Sequence, residues 1–357
     1  MKKRKDDINA QRDEGRKSTR VRLHDDELEI IEEYRRIHNE CAENGLDIKD
    51  VKSGWIKNEK SSLYFRNPNF NGQLNKQNDF QKQLIKSLKE HTPKYTKIKR
   101  TKCKDGHLLV IDPADIHVGK LCSVFETGQE YNSQIAVQRV LDGVDGILNK
   151  SNGFNIDKIV FIGGNDILHV DNAKNTTTSG TYQDASGMWY ENFLMAKQLY
   201  VDILEKLITI ADVSFVFNPS NHDYTNGFFL ANVIETHFRN CKNIEFDCSI
   251  SHRKYFSYGT NLIGTTHGDG AKNTDLGSLM SVEAKSMWAN SEHRYFYTHH
   301  VHHKTSKDFI NVTTESLRSP SPADSWHNRN GYISSPAIEG FIHSKENGQV
   351  ARLTNYF

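Results

Sequence analysis

Cysteine is scarce. There are five in 357 residues (Cys41, Cys103, Cys122, Cys241, Cys248), an odd number with no C-x-x-C pair. That excludes a cysteine metal site and suits reduced thiols in a cytosol. Long apolar runs are missing: no stretch approaches the roughly 18 residues of a membrane span, so no membrane partner is expected. Met1-Lys2-Lys3-Arg4-Lys5 is charged but has no apolar region behind it, which argues against a secretory signal and for a cytoplasmic location. Hydrophobic residues make up only 36% of the chain, yet regular apolar runs argue for a folded protein. The length suffices for one large α/β domain and a smaller one. No internal repeat is visible.

A strong net charge is also lacking, at +1 overall, but the charge is unevenly spread. Residues 1–50 carry 12 Lys+Arg against 14 Asp+Glu, residues 51–104 carry 14 against 3, and the remainder carries 20 against 28. A basic segment therefore precedes an acidic body. Carboxylates gathered around metal ions would make the body acidic, and a polyanionic substrate would call for the basic segment, although a solvated linker has the same composition.

Residues 1–18 read as a disordered tail. Thr19–Leu23 alternates like a short strand, Asp26 and Glu29 form a helix-start box, and Leu28, Ile31, Tyr34 and Ile37 mark one face of a helix ending near Gly45. This pattern resembles a ribbon-helix-helix DNA-binding unit, with a helix-turn-helix or a plain packing helix as alternatives. Residues 51–75 interleave bases and rings, so Trp55, Lys57, Lys60 and Arg66 are candidate substrate contacts: cations for phosphates, flat faces for bases. Residues 19–70 are thus expected to form a small basic, aromatic domain, and residues 71–106 a Lys-rich linker with a short helix near Asp79–Glu90.

From residue 107 to 357 the pattern is strand, helix, strand. Leu108–Ile111, Lys158–Gly164 and Val213–Phe217 read as buried strands, with helices at Ile135–Leu148, Met188–Ile210 and Phe229–Phe238. Short strands follow at Ile244–Asp247, Lys254–Tyr258, Asn261–Thr266, Tyr295–Thr298, Phe309–Val312 and Val350–Asn355. The expected fold class is α/β: two mixed sheets packed face to face with helices outside, a four-layer sandwich preceded by a small N-terminal helical segment.

The chemistry lies just after the strands. Asp115 and His117 form a D-x-H triplet; Asp166 and His169 follow Gly163-Gly164-Asn165; Asn221-His222-Asp223 follows the third strand; His267-Gly268-Asp269 and His299-His300-Val301-His302-His303 follow later ones. Residues at the carboxyl ends of such strands project into the crevice where α/β sheets bind ligands. Oxygen donors from Asp and Asn with imidazole suit Mn²⁺, Fe or Zn²⁺ better than Ca²⁺, and the number of candidates suits two ions.

The ordered set D-x-H, G-x-D, N-H-D, H-G, H-x-H resembles the calcineurin-like metallophosphoesterase superfamily over residues 107–357. Gly163-Gly164-Asn165-Asp166-Ile167-Leu168-His169 resembles the corresponding motif of the SbcD-type and Mre-type DNA repair exonucleases. The loop from Asp171 to Asp184 looks like one carried by phage-encoded members.

The resemblance implies a role for each matching residue. Asp115, His117 and His302 would hold one divalent ion; Asn221, His267 and His300 would hold the other; Asp166 would bridge them. His222 would stabilise the transition state or protonate the leaving group, and His169 would position a nucleotide. Two cations about 3.5–4 Å apart activate a bridging water for in-line attack, so no protein nucleophile is needed. Mn²⁺ is the expected metal, with Fe, Zn²⁺ or Mg²⁺ as others. DNA is the expected substrate; the alternatives are a small-molecule phosphatase or nucleotide phosphodiesterase, and a DNA-binding protein with a vestigial site. SbcD-type enzymes work with an ATPase partner, and a homodimer is the other assembly to expect.

Three departures stand out. Asn165 intervenes between the glycines and Asp166 and competes as a ligand, Ser220 replaces a glycine before Asn221, and His299 replaces one before His300, leaving the register of the histidine cluster open. Asp223, Asp269 and His299 read as supporting groups rather than ligands. Asp324 and His327, around Trp326, are candidates for the groove wall.

Overall fold

The computed structural model describes residues 25–57, 62–66, 93–101 and 104–357. The chain divides into two compact units, with the boundary between residues 92 and 93.

In the first unit, helix α1 spans Asp25–Glu43. Its apolar face is represented by Ile37 and Cys41, buried against Ile48. It stops where the sequence predicts: Gly45 takes a positive φ of 70°, and the Leu46 amide closes the end on the Cys41 carbonyl at 2.8 Å. Strands β1 (Ser53–Lys57) and β2 (Ser62–Arg66) form an antiparallel pair in which Trp55 faces Tyr64. Residues 1–24, Lys60 and the expected helix at 79–90 lie outside the described residues.

The second unit runs β3 (His107–Asp112), α2 (Val124–Thr127), α3 (Ser133–Lys150), β4 (Ile156–Gly164), α4 (Trp189–Ile210), β5 (Asp212–Asn218), α5 (Tyr224–Phe238), β6 (Ile244–Asp247), β7 (Lys254–Tyr258), β8 (Asn261–Thr266), α6 (Leu276–Glu283), α7 (Lys285–Ala289), β9 (His293–Thr298), β10 (Thr305–Phe309), β11 (Val312–Ser316), α8 (Ser325–Arg329), β12 (Ala337–Ser344) and β13 (Gly348–Tyr356). Six strands form one mixed sheet, ordered β13-β12-β3-β4-β5-β6, in which β3 to β6 are parallel. Five form a second, ordered β10-β11-β9-β8-β7.

The period of two along each strand builds the layers. Leu109 and Ile111 of β3, Ile159 and Phe161 of β4, and Val213, Phe215 and Phe217 of β5 point into one core with α3, α4 and α5. The alternate residues Leu108, Val110, Val160, Ile162 and Val216 point the other way and meet Ile263 and Tyr297 of the second sheet. Leu262 and Phe296, on the far face of that sheet, pack on Leu276 and Met280 of α6. Both inner strands are apolar on both faces, which is why they read as continuous hydrophobic runs.

Three features differ from expectation. The single strand expected at Phe309–Val312 is the tip of a hairpin: Phe309 pairs with Val312, and Asn311 turns the chain at φ 60°. Its flanking strands are too polar to show an alternation. Strand β12, antiparallel to β3, was not expected, because Glu339 and His343 interrupt its apolar run. Glu339 is buried there against the guanidinium groups of Arg318 and Arg352. Finally, the segment read as linker through residue 106 is already part of the larger unit from Pro93: Tyr95 stacks on Phe238 at 5.3 Å, and the Asn243 side chain brackets the backbone of Ile98 with two hydrogen bonds.

Candidate metal centre and cleft

The candidate ligands sit on loops that follow five strands, three from the six-stranded sheet (β3, β4, β5) and two from the five-stranded one (β8, β9). The site therefore lies where the carboxyl ends of strands from both sheets meet, not at the edge of one sheet alone.

Backbone hydrogen bonds zip the loops together. The amides of Asp115 and His117 donate to the carbonyls of Asn165 and Asp166, both at 2.8 Å, and the His169 amide returns to Val118 at 3.0 Å. The Asn165 amide donates to the Asn218 carbonyl at 3.0 Å, and the His299 amide to His267 at 2.9 Å. This docking forces unusual backbone. Among the described non-glycine residues with positive φ are Asp115, His117, Asn165, Asp166, His300 and His302. Each such residue costs about 1–3 kcal/mol, and strain of this kind gathers where geometry serves function.

Two groups of donors result. Asp115, His117 and His302 offer one ligand atom each within 4.8 Å of one another, and so do Asp166, His267 and His300. In the first group His117 Nε2 and His302 Nε2 are 3.2 Å apart, with Asp115 Oδ1 at 3.5 Å from His302. In the second, His267 Nε2 lies 2.9 Å from Asn221 Oδ1 and 3.3 Å from Asp166 Oδ2. Asp166 Oδ2 is also 3.9 Å from His117 Nε2, so this carboxylate lies between the groups. His117, His169 and His222 make a third cluster of the same dimensions.

His299 and His303 are turned elsewhere. His299 is buried, with Nδ1 on the Thr266 carbonyl and Nε2 3.0 Å from both oxygens of Asp112, while His303 Nδ1 rests on the Val301 carbonyl. The side-chain amide of Asn165 is buried with neither polar atom paired.

Electrostatics follow from burial. Burial, then the neighbouring His222, His302 and Lys120, holds His117 well below the ordinary imidazole range. Burial and the charge of His222 do the same to His169. Burial pushes the Asp166 carboxyl up, but His267 and His222 outweigh it and hold it well below the carboxylate range. Burial pulls His267 down, yet the Asp166 carboxylate reverses this and raises it to about 9.

This donor set fits divalent cations. Two buried carboxylates kept ionised, the imidazoles of His117, His300 and His302 held below their ordinary range, and an amide oxygen converge, and a cation beside Asp166 would displace the proton that the carboxylate draws onto His267. Two imidazole nitrogens facing each other at 3.2 Å present two lone pairs that one cation would satisfy together. The His267 Nδ1 atom is buried without a partner.

His222 is placed differently. Its amide donates to Asp166 Oδ1 at 3.0 Å, and its Nδ1 donates to the His169 carbonyl at 2.9 Å. That bond fixes the tautomer and leaves Nε2 as the working atom. The His169 ring stacks on His222 at 5.4 Å and its Nδ1 lies 3.4 Å from His117 Nδ1. His169 and His222 both line a cleft of about 720 Å³, together with Asp166, His300 and His302. Trp55 and Tyr64 are exposed on the first unit with their rings 5.2 Å apart; Arg66 is exposed, and the Lys57 side chain lies outside the described ones.

Supporting residues surround the donors, Asp223 and Asp269 among those the sequence marks as such, whereas Ser319 and Ser334 gave no sequence signal. Ser220 Oγ accepts the Asp166 amide and donates to Asp223, both at 2.7 Å, and Asp223 also accepts the Leu168 amide. Asp223 therefore supports the backbone of the β4 loop, not an imidazole. Asp269 enters as a charge that raises His267. Ser319 and Ser334 donate to the carbonyls of Asp115 and His302 at 2.6 Å. Such bonds join residues far apart in sequence, so no local spacing announces them.

No family model and no curated protein sequence matches the chain. Among solved structures it is similar to an archaeal phosphodiesterase (8% identity, TM-score 0.32, covering 70% of this chain and 99% of the other). It is also similar to Entamoeba histolytica Vps29 complexed with zinc (12%, 0.29, 70% and 98%) and to a predicted phosphoesterase of Streptococcus pneumoniae (12%, 0.28, 71% and 98%). At such scores these likenesses carry no argument; the reading of the site rests on its own geometry.

Proposed function

We propose that the larger unit is a metal-dependent phosphodiesterase of the calcineurin-like metallophosphoesterase superfamily and that its substrate is DNA. The observation that carries the reading is the pair of donor groups, Asp115/His117/His302 and Asp166/His267/His300 with Asn221, each with two buried members and held on strained loops at one cleft. In this reading the first three hold one ion, the others the second, and Asp166 is shared. When bound, two divalent cations, with Mn²⁺ expected and Fe or Zn²⁺ equally suited to these donors, would supply charge to the phosphate oxygens and make water a competent nucleophile.

The chain's own residues do the rest. His222, with Nδ1–H committed to the His169 carbonyl, presents Nε2 to the cleft and, as the imidazolium, would give its Nε2 proton to the departing oxygen and return to the neutral Nδ1–H form. His169, stacked on that ring and itself lining the cleft, would position the nucleotide. The basic residues 51–104 supply cations for a polyanion, with Trp55, Lys57, Lys60 and Arg66 as contacts.

One observation favours a second reading, hydrolysis of a small nucleotide ester. Arg329 is the lone Lys or Arg among the described residues lining the cleft, beside the acidic Glu126, Asp184 and Asp324. The discriminating experiment is Mn²⁺-dependent cleavage of end-labelled single- and double-stranded DNA beside a small aryl phosphodiester, for wild type and Asp166→Asn. DNA cut by wild type alone supports the nuclease. Cleavage of the small ester alone retains the reaction class and removes DNA as the substrate.

A further inference from the structure

The ligand-bearing floor of the cleft is flanked by a ladder of rings. His327 of α8 stacks on the candidate ligand His302, with centroids 5.0 Å apart and planes 14° from parallel. Trp326 follows at 5.1 Å from His327, and Tyr332 stacks on Trp326 at 5.6 Å and 28°. Trp326 and Tyr332 are 62% and 58% exposed, and both line the cleft. Large rings are normally withdrawn from water, so a stacked, solvent-facing pair beside a reactive site asks for a flat partner.

The ladder is anchored from below. Lys120, three residues after the D-x-H histidine, is buried with Nζ 2.8 Å from the Pro322 carbonyl and 3.2 Å from Asp324. Asp324 in turn accepts the backbone and Nδ1 hydrogens of His327, at 2.9 and 2.7 Å. One buried cation thereby ties the ring-bearing helix to the loop that carries Asp115 and His117. The same contacts offset the charge of Asp324.

We propose that Trp326 and Tyr332 form a stacking platform for an unpaired nucleobase whose phosphodiester lies over the donor groups. The inference rests on the phosphodiesterase reading and narrows its substrate class. Base faces are hidden inside a duplex and free in a single strand or a frayed end, so the platform selects the latter. A stacking surface recognises any base by its π-face and supplies affinity without sequence preference. Phosphate binding would fall to the cations that the donor groups hold, which would let a cleft with one arginine among its described lining residues accept a polyanion one nucleotide at a time.

The test uses the full chain in Mn²⁺ with His222→Asn to remove the proton donor and prevent cleavage, and with Trp55→Phe and Trp189→Phe to silence the other exposed tryptophans. Tryptophan fluorescence is titrated with single-stranded oligothymidylate and with an abasic strand of equal length. The expected result is quenching by oligothymidylate only, abolished by adding Trp326→Phe. With Trp326→Ala, affinity for oligothymidylate measured by anisotropy falls about 5- to 150-fold, the range of one base–aromatic stack, and affinity for the abasic strand is unchanged. Quenching that survives without Trp326, that abasic strands match, or that is absent altogether overturns the platform, the last outcome leaving the ring pair to a protein partner. Base-dependent quenching in a protein that cuts no DNA with Mn²⁺ would sustain the platform and remove the nuclease reading. DNA cleavage without such quenching removes the platform alone.

Discussion

Replacing Ser220 by alanine tests how the shared carboxylate is held. Its hydroxyl accepts the buried Asp166 amide and donates to the buried Asp223 carboxyl, both at 2.7 Å. An alanine fits the space but leaves a buried N–H unsatisfied, worth about 1–3 kcal/mol, and takes a donor from an acid that is already under pressure. Burial, then the charge of Asp166, raises Asp223 to about 7 against the pull of Ser220, so the loss pushes it higher still. A destabilisation of about 3 kcal/mol follows, which in a unit of this size lowers the melting temperature by about 6–12 °C. The same bond orients Asp166, and losing such a support weakens metal binding about 10- to 100-fold. Calorimetric melting and Mn²⁺ titration of Ser220→Ala read both quantities. A variant with wild-type melting and wild-type metal affinity would refute the reasoning, since a water would then be doing what the serine does.

Further expectations concern the frame. Gly164 closes β4 at φ +78°, and a Cβ there would run into the Asn218 carbonyl and the Phe217 ring; Gly164→Ala should cost about 3 kcal/mol or more, seen as a much lower urea midpoint. His343 in β12 is buried beside Tyr297, and burial, then His293, lowers its pKa to about 3. The unfolded chain therefore binds the proton first as pH falls: stability is present above about pH 6.5 and is lost progressively towards pH 3, by about 2 kcal/mol at pH 5. Urea melts across that range should show the slope in wild type and a shallower one in His343→Gln; equal slopes would count against a buried neutral imidazole. His299→Phe removes the partner of the Asp112 carboxylate, 3.0 Å away and wholly buried, and should destabilise by about 3 kcal/mol or more, whereas His303→Phe, on an exposed turn, should leave the melting temperature unchanged.

Much of the frame could be read from residues alone because it depends on strong local patterns. Leu108–Ile111 and Lys158–Gly164 are apolar on both faces, which marks buried strands, and Gly45 ends its helix as capping chemistry requires. The D-x-H and N-H-D placements behind strands pointed to a crevice for the same reason. What escaped is non-local. Strand β12 carries Glu339, whose burial makes sense only beside Arg318 and Arg352. The hairpin of β10 and β11 is polar, so alternation is silent there. The partners of Asp166 and Asp324 come from Ser220 and Lys120, at sequence distances no motif encodes. The run from His299 to His303 leaves its register open in the sequence, because only the fold turns the His299 ring onto Asp112.

The central claim is that the two donor groups hold two metal ions with Asp166 shared between them. The most direct test is the number of Mn²⁺ ions bound per chain, measured by calorimetry and elemental analysis on metal-stripped protein, for wild type and Asp166→Asn. The account predicts two ions in wild type and at least a hundredfold loss of affinity at both sites in the variant, because a shared ligand serves each. One ion or none in wild type, or two bound equally well by Asp166→Asn, would contradict it.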